Sequence, residues 1–337
     1  MGDLNKVLII GGGPTGIAAA LLLKQNNHLT PVVYDASTKP TTLGGAIGIP
    51  PNGLRLLKRL GIYEELVSRG SSAEDITVHS VQGSVMGRTN MVSWSKNKTG
   101  FGLLKIKRAD LMDVFCKAAR RSGIQIHYGK NLVGIKESNQ QITASFSDGT
   151  SDTADFLLGC DGIPSSVRKL YVDPEIQPEY TGISDFYSLV PAGERPTAGP
   201  LKGLHATFTM EGMFAITTCT ESSDEHYWFL SYGVDPPVSV VKRTGGTNSN
   251  KSMSTSSNPY CMAFCKNVKG EWGSLLRGFV GESKEVKFHP IFSLPLGGVW
   301  YKARCLLLGD AAHAVSPHAS QGVSMALEND FSFLSST

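Results

Sequence analysis

The apolar run Val7-Leu8-Ile9-Ile10, followed at once by Gly11-Gly12-Gly13-Pro14-Thr15-Gly16, limits what this chain can fold into more than any other stretch. Four consecutive apolar residues stopped by glycine predict a strand buried on both faces. Residues 17–25, rich in Ala and Leu, predict a helix, and residues 31–34 a second strand ending at Asp35. Together they make a βαβ unit, the opening of a Rossmann-like sheet. Gly11, Gly13 and Gly16 have dinucleotide-binding spacing. The first allows the tight turn, the second lets backbone approach a pyrophosphate, and the third lets helix and strand pack closely. Pro14 and Thr15 lie in the same turn, where the helix offers free N–H groups and a positive dipole end to phosphate. Asp35 stands where an acid bonds ribose hydroxyls. The unit alone leaves FAD and NAD open.

Bulk properties remove several function classes. The chain has 337 residues, 41% of them hydrophobic, enough for about two domains. A net charge of +3 is too mild to argue for nucleic acid or an anionic membrane surface. No apolar run reaches the length of a membrane span. Residues 7–23 resemble a secretory core, but the glycines interrupt it, and Lys6 breaks the myristoylation pattern that Met1-Gly2 begins. A cytoplasmic location is expected. The six cysteines are scattered, and Cys261 and Cys265 have no histidine cluster nearby, so idle thiols and no metal are expected.

Further along, residues 52–69 have helical spacing, with Leu54, Leu57, Leu60 and Leu66 as an apolar stripe. Residues 75–105 predict antiparallel β structure. Residues 108–122 predict a helix with Asp110 in its first turn. A β-rich stretch leads to Cys160. The character changes over residues 176–295, where 204–210, 213–218 and 227–232 predict strands of a second, mostly antiparallel unit. Residues 243–258 are rich in Ser, Thr, Asn and Gly and predict a mobile surface loop. Residues 305–309 return to a buried-strand pattern, with a helix at 324–329.

Two further motifs decide between dinucleotides. Leu158-Gly159-Cys160-Asp161-Gly162 is followed by Ser165, Ser166 and Arg168. Leu307-Leu308-Gly309-Asp310-Ala311-Ala312-His313 is followed by Pro317 and Gln321-Gly322. Alone, Asp161-Gly162 is an ordinary turn and His313 a packing residue. In this order, after the glycine turn, they resemble the DG and GD motifs of the class A flavoprotein monooxygenases, the family of p-hydroxybenzoate, phenol and salicylate hydroxylases. The likeness covers nearly the whole chain. Residues 44–51, Ala46 among them, with Asn52-Gly53-Leu54-Arg55, resemble the family's segment beside the flavin ring.

The resemblance implies an α/β fold of mixed character: a Rossmann-like FAD-binding domain with an inserted, mostly antiparallel β substrate domain. The expected division is 1–70, 101–175 and 290–337 for FAD, and 71–100 and 176–289 for substrate. It implies tightly but non-covalently bound FAD, with NAD(P)H as a transient co-substrate. Arg108 is implied near the pyrophosphate and ribityl chain, and Asp161, Gly162 and Arg168 in the segment serving FAD and NAD(P)H. Gly309 and Asp310 are implied at the ribityl hydroxyls. Pro317, Gln321 and Gly322 are implied at the pyrimidine end of the flavin, where backbone N–H groups stabilise the charge of the reduced ring.

The implied activity is hydroxylation, with O2, of a phenolic or related secondary-metabolite substrate through a C4a-hydroperoxyflavin. No residue is assigned as catalytic. His205, His226 and Tyr227 are candidate bases for a phenol, though such residues are commonly plain strand residues. The stretch Phe292-Ser293-Leu294-Pro295 with Trp300 most resembles fungal salicylate-hydroxylase-like enzymes. A second glycine turn and a redox cysteine pair are absent, against disulfide reductases. The paired tryptophan signature of flavin halogenases is absent too, though a halogenase-like or epoxidase activity shares the fold.

Three departures from the family pattern stand out. Asp35 replaces the usual Glu, and Ser320 replaces a Gly, which strains the serine if that position needs positive φ. The chain also stops at Thr337, many tens of residues before the family's usual end. A truncated, non-catalytic FAD-binding protein is therefore the alternative expectation.

Overall fold

The computed structural model describes residues 6–26, 29–40, 44–72, 75–90, 92–193, 201, 203–234, 251–253 and 259–334. Strand Lys6–Ile10, helix Pro14–Asn26 and strand Thr30–Asp35 form the predicted βαβ unit. The first strand is the centre of a six-stranded sheet. Its order is Tyr301–Lys302, Cys305–Leu307, Phe156–Gly159, Lys6–Ile10, Thr30–Asp35, Gln125–Tyr128. All pairs are parallel except the first. Leu8 and Ile9 are fully buried, one toward each face, as a central parallel strand requires.

The register of this sheet positions everything that follows. Ile10 pairs with Gly159, and Gly159 with Leu307, in one row across three adjacent strands. All three motifs leave the sheet within two residues of that row. They therefore meet at the carboxyl ends of the strands, where open α/β sheets bind ligands.

One face of the sheet is covered by helices Pro14–Asn26 and Arg108–Arg121, with Pro51–Arg59 and Gly322–Leu334 packed beyond them. The other carries the antiparallel meander Leu132–Glu137, Ile142–Phe146, Ser151–Ala154. Leu54, Leu57, Leu60 and Leu66 are buried as the stripe predicted. The predicted single helix is two, Pro51–Arg59 and Tyr63–Val67, broken at Gly61 with φ 76°.

An eight-stranded sheet forms the second unit. Its order is Lys251–Met253, Val286–Ser293, Glu179–Pro191, Glu225–Gly233, Gly212–Thr218, Leu204–Phe208, Asp75–His79, Val85–Asn90. Only Leu204–Phe208 with Asp75–His79 is parallel. One face packs on helices Pro259–Asn267 and Gly270–Glu282 through Phe186, Phe214, Trp228 and Phe279. Sequence reading missed both helices, because Cys261, Phe264, Cys265 and Val268 sit among aromatic residues that also suit strands.

Two other expectations need correction. Residues 92–99 form a helix, not β structure, and Leu104–Lys107 pairs with Ala46–Ile49 in a separate ribbon. Within the predicted loop at 243–258, Lys251–Met253 is a strand paired with Val286–Phe288. The remainder of that loop lies outside the described residues. All six cysteines are free and buried, and no metal-binding cluster exists among the described residues.

Candidate functional site

The glycine turn is held from two sides. Gly11 has φ 111°, and a Cβ there would lie 2.2 Å from the Cys160 carbonyl oxygen. Glycine thus lets the first motif pack directly on the second. A Cβ at Gly16 would lie 1.9 Å from the Gly11 oxygen, the helix–strand contact that its position predicted. Gly13 differs: a Cβ there would meet nothing within 4 Å. Its backbone faces open space, as an approach to phosphate needs. Asp35 closes the turn, accepting from Gly12 N–H at 2.6 Å and Ser37 N–H at 2.8 Å.

Asp161 and Arg168 have protein partners instead of facing that space. The Asp161 carboxylate accepts from Ser165 Oγ, from Ser166 N–H at 2.6 Å and from Val167 N–H at 3.2 Å. Burial raises its pKa and these bonds oppose the rise. Gly162 has φ 74°, which makes the turn. Arg168 is 1% exposed, and its guanidinium donates to the carbonyls of Ala311 (2.7 Å) and Ile163. In this conformation it ties the second motif to the third rather than offering a cation to a ligand.

Asp310 and Arg108 are the reverse case. Asp310 opens the short helix Asp310–His313 after Gly309, whose φ is 59°. Its side chain is exposed, yet burial still raises its pKa, with Arg108 the main opposing charge. With Arg108 close enough to oppose that rise, Asp310 borders the cleft at the carboxyl ends of the parallel strands. Arg108 begins helix Arg108–Arg121, is exposed, and its guanidinium has no hydrogen bond or ion pair among the described residues. A side chain on Gly44 would meet Arg108 Cδ at 2.7 Å, so that glycine makes room for the arginine.

The loop after the third motif crosses this cleft. Pro317–Ala319 forms a 3-10 turn, Ser320 follows with φ 54°, and Gly322 starts helix Gly322–Leu334. The serine expected to be strained does adopt the left-handed conformation. The loop packs on strand Ala46–Ile49, where a Cβ on Gly48 would lie 3.1 Å from Ser320 Oγ. Asn52 Nδ2 donates to Gln321 Oε1 at 3.0 Å, fixing the loop from helix Pro51–Arg59. His313 bonds the Asn329 side chain and packs on Trp300, as a packing residue would.

Across the cleft stands the face of the eight-stranded sheet opposite its helices. Tyr227 reaches over Gly45, where a Cβ would lie 2.1 Å from its ring. By strand alternation Phe229 and Ser231 share this face, and Asp185 and Tyr187 lie beside them in register. His205 and His226 lie on the other face, against Trp272 and Phe279 of the helix Gly270–Glu282. Of the three candidate bases only Tyr227 faces the cleft. Sequence reading missed Asp185, Ser231 and His318. The signal was a lone acid at the centre of an aromatic strand.

Residues 5–233 match the family model described as FAD binding domain. The chain belongs to the FAD-binding domain family. Its cofactor is FAD, and the resemblance to class A flavoprotein monooxygenases holds across its relatives. The 6-hydroxynicotinate 3-monooxygenase of Pseudomonas fluorescens is 25% identical, over 98% of this chain and 81% of that protein. Hispidin-3-hydroxylase of Neonothopanus nambi is 26% identical, over 96% of this chain and 78% of that protein. Among solved structures, Klebsiella pneumoniae HpxO complexed with FAD and uric acid superposes with a TM-score of 0.83 at 20% identity, covering 100% of this chain and 81% of that one. The FAD family and the mixed α/β fold agree with the sequence-based expectation. No helix among the described residues is long and apolar enough to cross a membrane.

Proposed function

We propose that the chain is an FAD-dependent monooxygenase that uses NAD(P)H and O2 to hydroxylate an electron-rich, hydroxylated ring. One observation carries the reading. Three motifs leave adjacent strands at one row of the sheet, and Arg108 and Asp310, without hydrogen-bond or ion-pair partners among the described residues, face the same cleft there, beneath an aromatic sheet face.

The residues present suit FAD. The open backbone at Gly13, with Gly11, Pro14, Thr15 and Gly16, takes the pyrophosphate. Asp35 takes the adenosine ribose. Arg108 would neutralise phosphate charge near the ribityl chain, and the Asp310 carboxylate, presented by the turn at Gly309, would accept from its hydroxyls. Ala46, Pro317, Gln321 and Gly322 border the ring. Asp161, Gly162 and Arg168 act through the fold, by joining the second and third motifs. When bound and reduced by NAD(P)H, FAD activates O2 for transfer to the ring. The chain's own residues bind the ring, orient it and exclude water.

We assign residues 1–70, 101–175 and 290–337 to the FAD-binding domain and 71–100 and 176–289 to the substrate domain, with strand Val286–Ser293 of the eight-stranded sheet crossing the boundary at 290. Six free cysteines suit a reducing compartment, the cytoplasm.

The test is direct. Purified protein should be yellow, and phenolic acids or polyketides from a panel should stimulate its NADPH oxidation. A yellow protein that no ring stimulates would contradict the monooxygenase reading and leave a non-catalytic flavoprotein.

A further inference from the structure

A line of hydrogen bonds crosses the cleft and ends on one carboxylate. Ser231 Oγ donates to Asp185 Oδ1 at 2.6 Å. His318 Nε2 lies 3.1 Å from Ser231 Oγ. The serine's single proton is committed to Asp185, so His318 must carry a proton on Nε2 and donate it. Its Nδ1 then pairs with Ser316 Oγ. The loop that crosses the cleft is thereby tied to the facing sheet, and every donor from His318 onward points to Asp185.

Asp185 has one oxygen left over. Among the described residues Oδ2 has no hydrogen-bond partner, although the side chain is half-buried. Burial raises its pKa, opposed by Ser231 and His318. Its surroundings are those of a ring-binding floor. Tyr187 is two residues along the same strand, and Phe229 and Tyr227 follow on the neighbouring one. His289 lies directly opposite Asp185 on the other side. His289 is exposed and, paired with Asp185, shares its face of the sheet; surrounding protein and Arg108 lower its pKa.

We infer that Asp185 is a specificity-determining residue whose free oxygen accepts a hydrogen bond from a ring O–H or N–H of the substrate, with Ser231 and His318 as positioning residues. This rests on the monooxygenase reading and sharpens it to flat rings that present a donor at that point. A ring offering only acceptors there would leave the carboxylate desolvated and unpaired, which is penalised far more than a missing methylene.

The experiment titrates the FAD holoenzyme with resorcinol and 3-hydroxypyridine and with their O-methyl ethers, reading binding from the flavin absorption spectrum. Each parent should bind on the order of tenfold or more tightly than its ether. Asp185→Asn, checked for flavin content, should erase that preference. Ser231→Ala should weaken it and Ser231→Thr, which keeps the hydroxyl, should restore it. Equal binding of parent and ether, no binding of either parent, or a preference intact in Asp185→Asn overturns the assignment. A protein that takes up no FAD overturns both readings, whereas a holoenzyme failing only the ether comparison overturns this one alone.

Discussion

The backbone N–H of Gly12 donates to the Asp35 carboxylate at 2.6 Å, across the mouth of the first βαβ unit. The acid at the end of the second strand is thus part of the glycine turn itself. Asp35→Ala removes the acceptor for Gly12 and Ser37 together and should cost about 1–3 kcal/mol of stability. It should also weaken FAD binding by tenfold or more. Thermal unfolding and quenching of flavin fluorescence measure the two effects. Unchanged affinity would separate Asp35 from the cofactor.

Asp310 and Asp224 make an internal comparison. Asp310 lines the cleft without a hydrogen bond among the described residues, while Asp224 is an exposed loop residue bonded to Thr220 at 2.6 Å. Asp310→Ala should lower FAD retention through gel filtration far more than Asp224→Ala. Equal retention would remove the ribityl assignment. A Cβ on Gly13 would meet no protein atom within 4 Å beyond its chain neighbours, so Gly13→Val should leave the apoprotein fold intact and still abolish FAD uptake.

Ser320 sits at φ 54° beside Gly48. A β-branched residue at such an angle adds strain of about 1–3 kcal/mol. Ser320→Val should therefore lower the unfolding midpoint, whereas Ser320→Gly should stay within about 1 kcal/mol of the parent. A neutral valine variant would contradict the left-handed loop.

Lys105 is buried, donates to Thr217 Oγ1 at 2.7 Å, and burial lowers its pKa from 10.5 to about 8. The unfolded chain keeps this proton to higher pH than the folded one. Between those two values the unfolded state binds more protons, so this group's contribution to stability rises with pH. The full difference is about 3 kcal/mol, with the penalty complete below the folded pKa. Comparing wild type with Lys105→Met in denaturant at about pH 7.5 and about pH 10 isolates it from the cysteines and tyrosines. Wild type should gain relative to the variant at the higher pH. A pH-independent difference would contradict the buried ammonium.

The sequence was most legible where chain direction and side-chain type are fixed locally. The run from Val7 to Ile10, the glycine spacing and Asp35 each dictate backbone geometry within a few residues, and the unit they predict forms as expected. The convergence of Asp161 and Asp310 was legible only as a family order, since pairing of Gly159 with Leu307 spans a long stretch of chain. Arg168 shows the limit. The family resemblance implied a cofactor segment there, whereas its buried guanidinium donates to two backbone carbonyls. Asp185 and Ser231 were illegible because a strand's alternation does not say which face meets a cleft, and the partner loop at His318 is distant in sequence.

The measurement that bears most directly on the account is a crystal structure of this chain with FAD. One FAD should lie with its pyrophosphate at the Gly13 backbone and its ribityl hydroxyls at Asp310, its ring under the Pro317–Ala319 turn. FAD bound elsewhere, or reaching Gly13 without reaching Asp310, would contradict it.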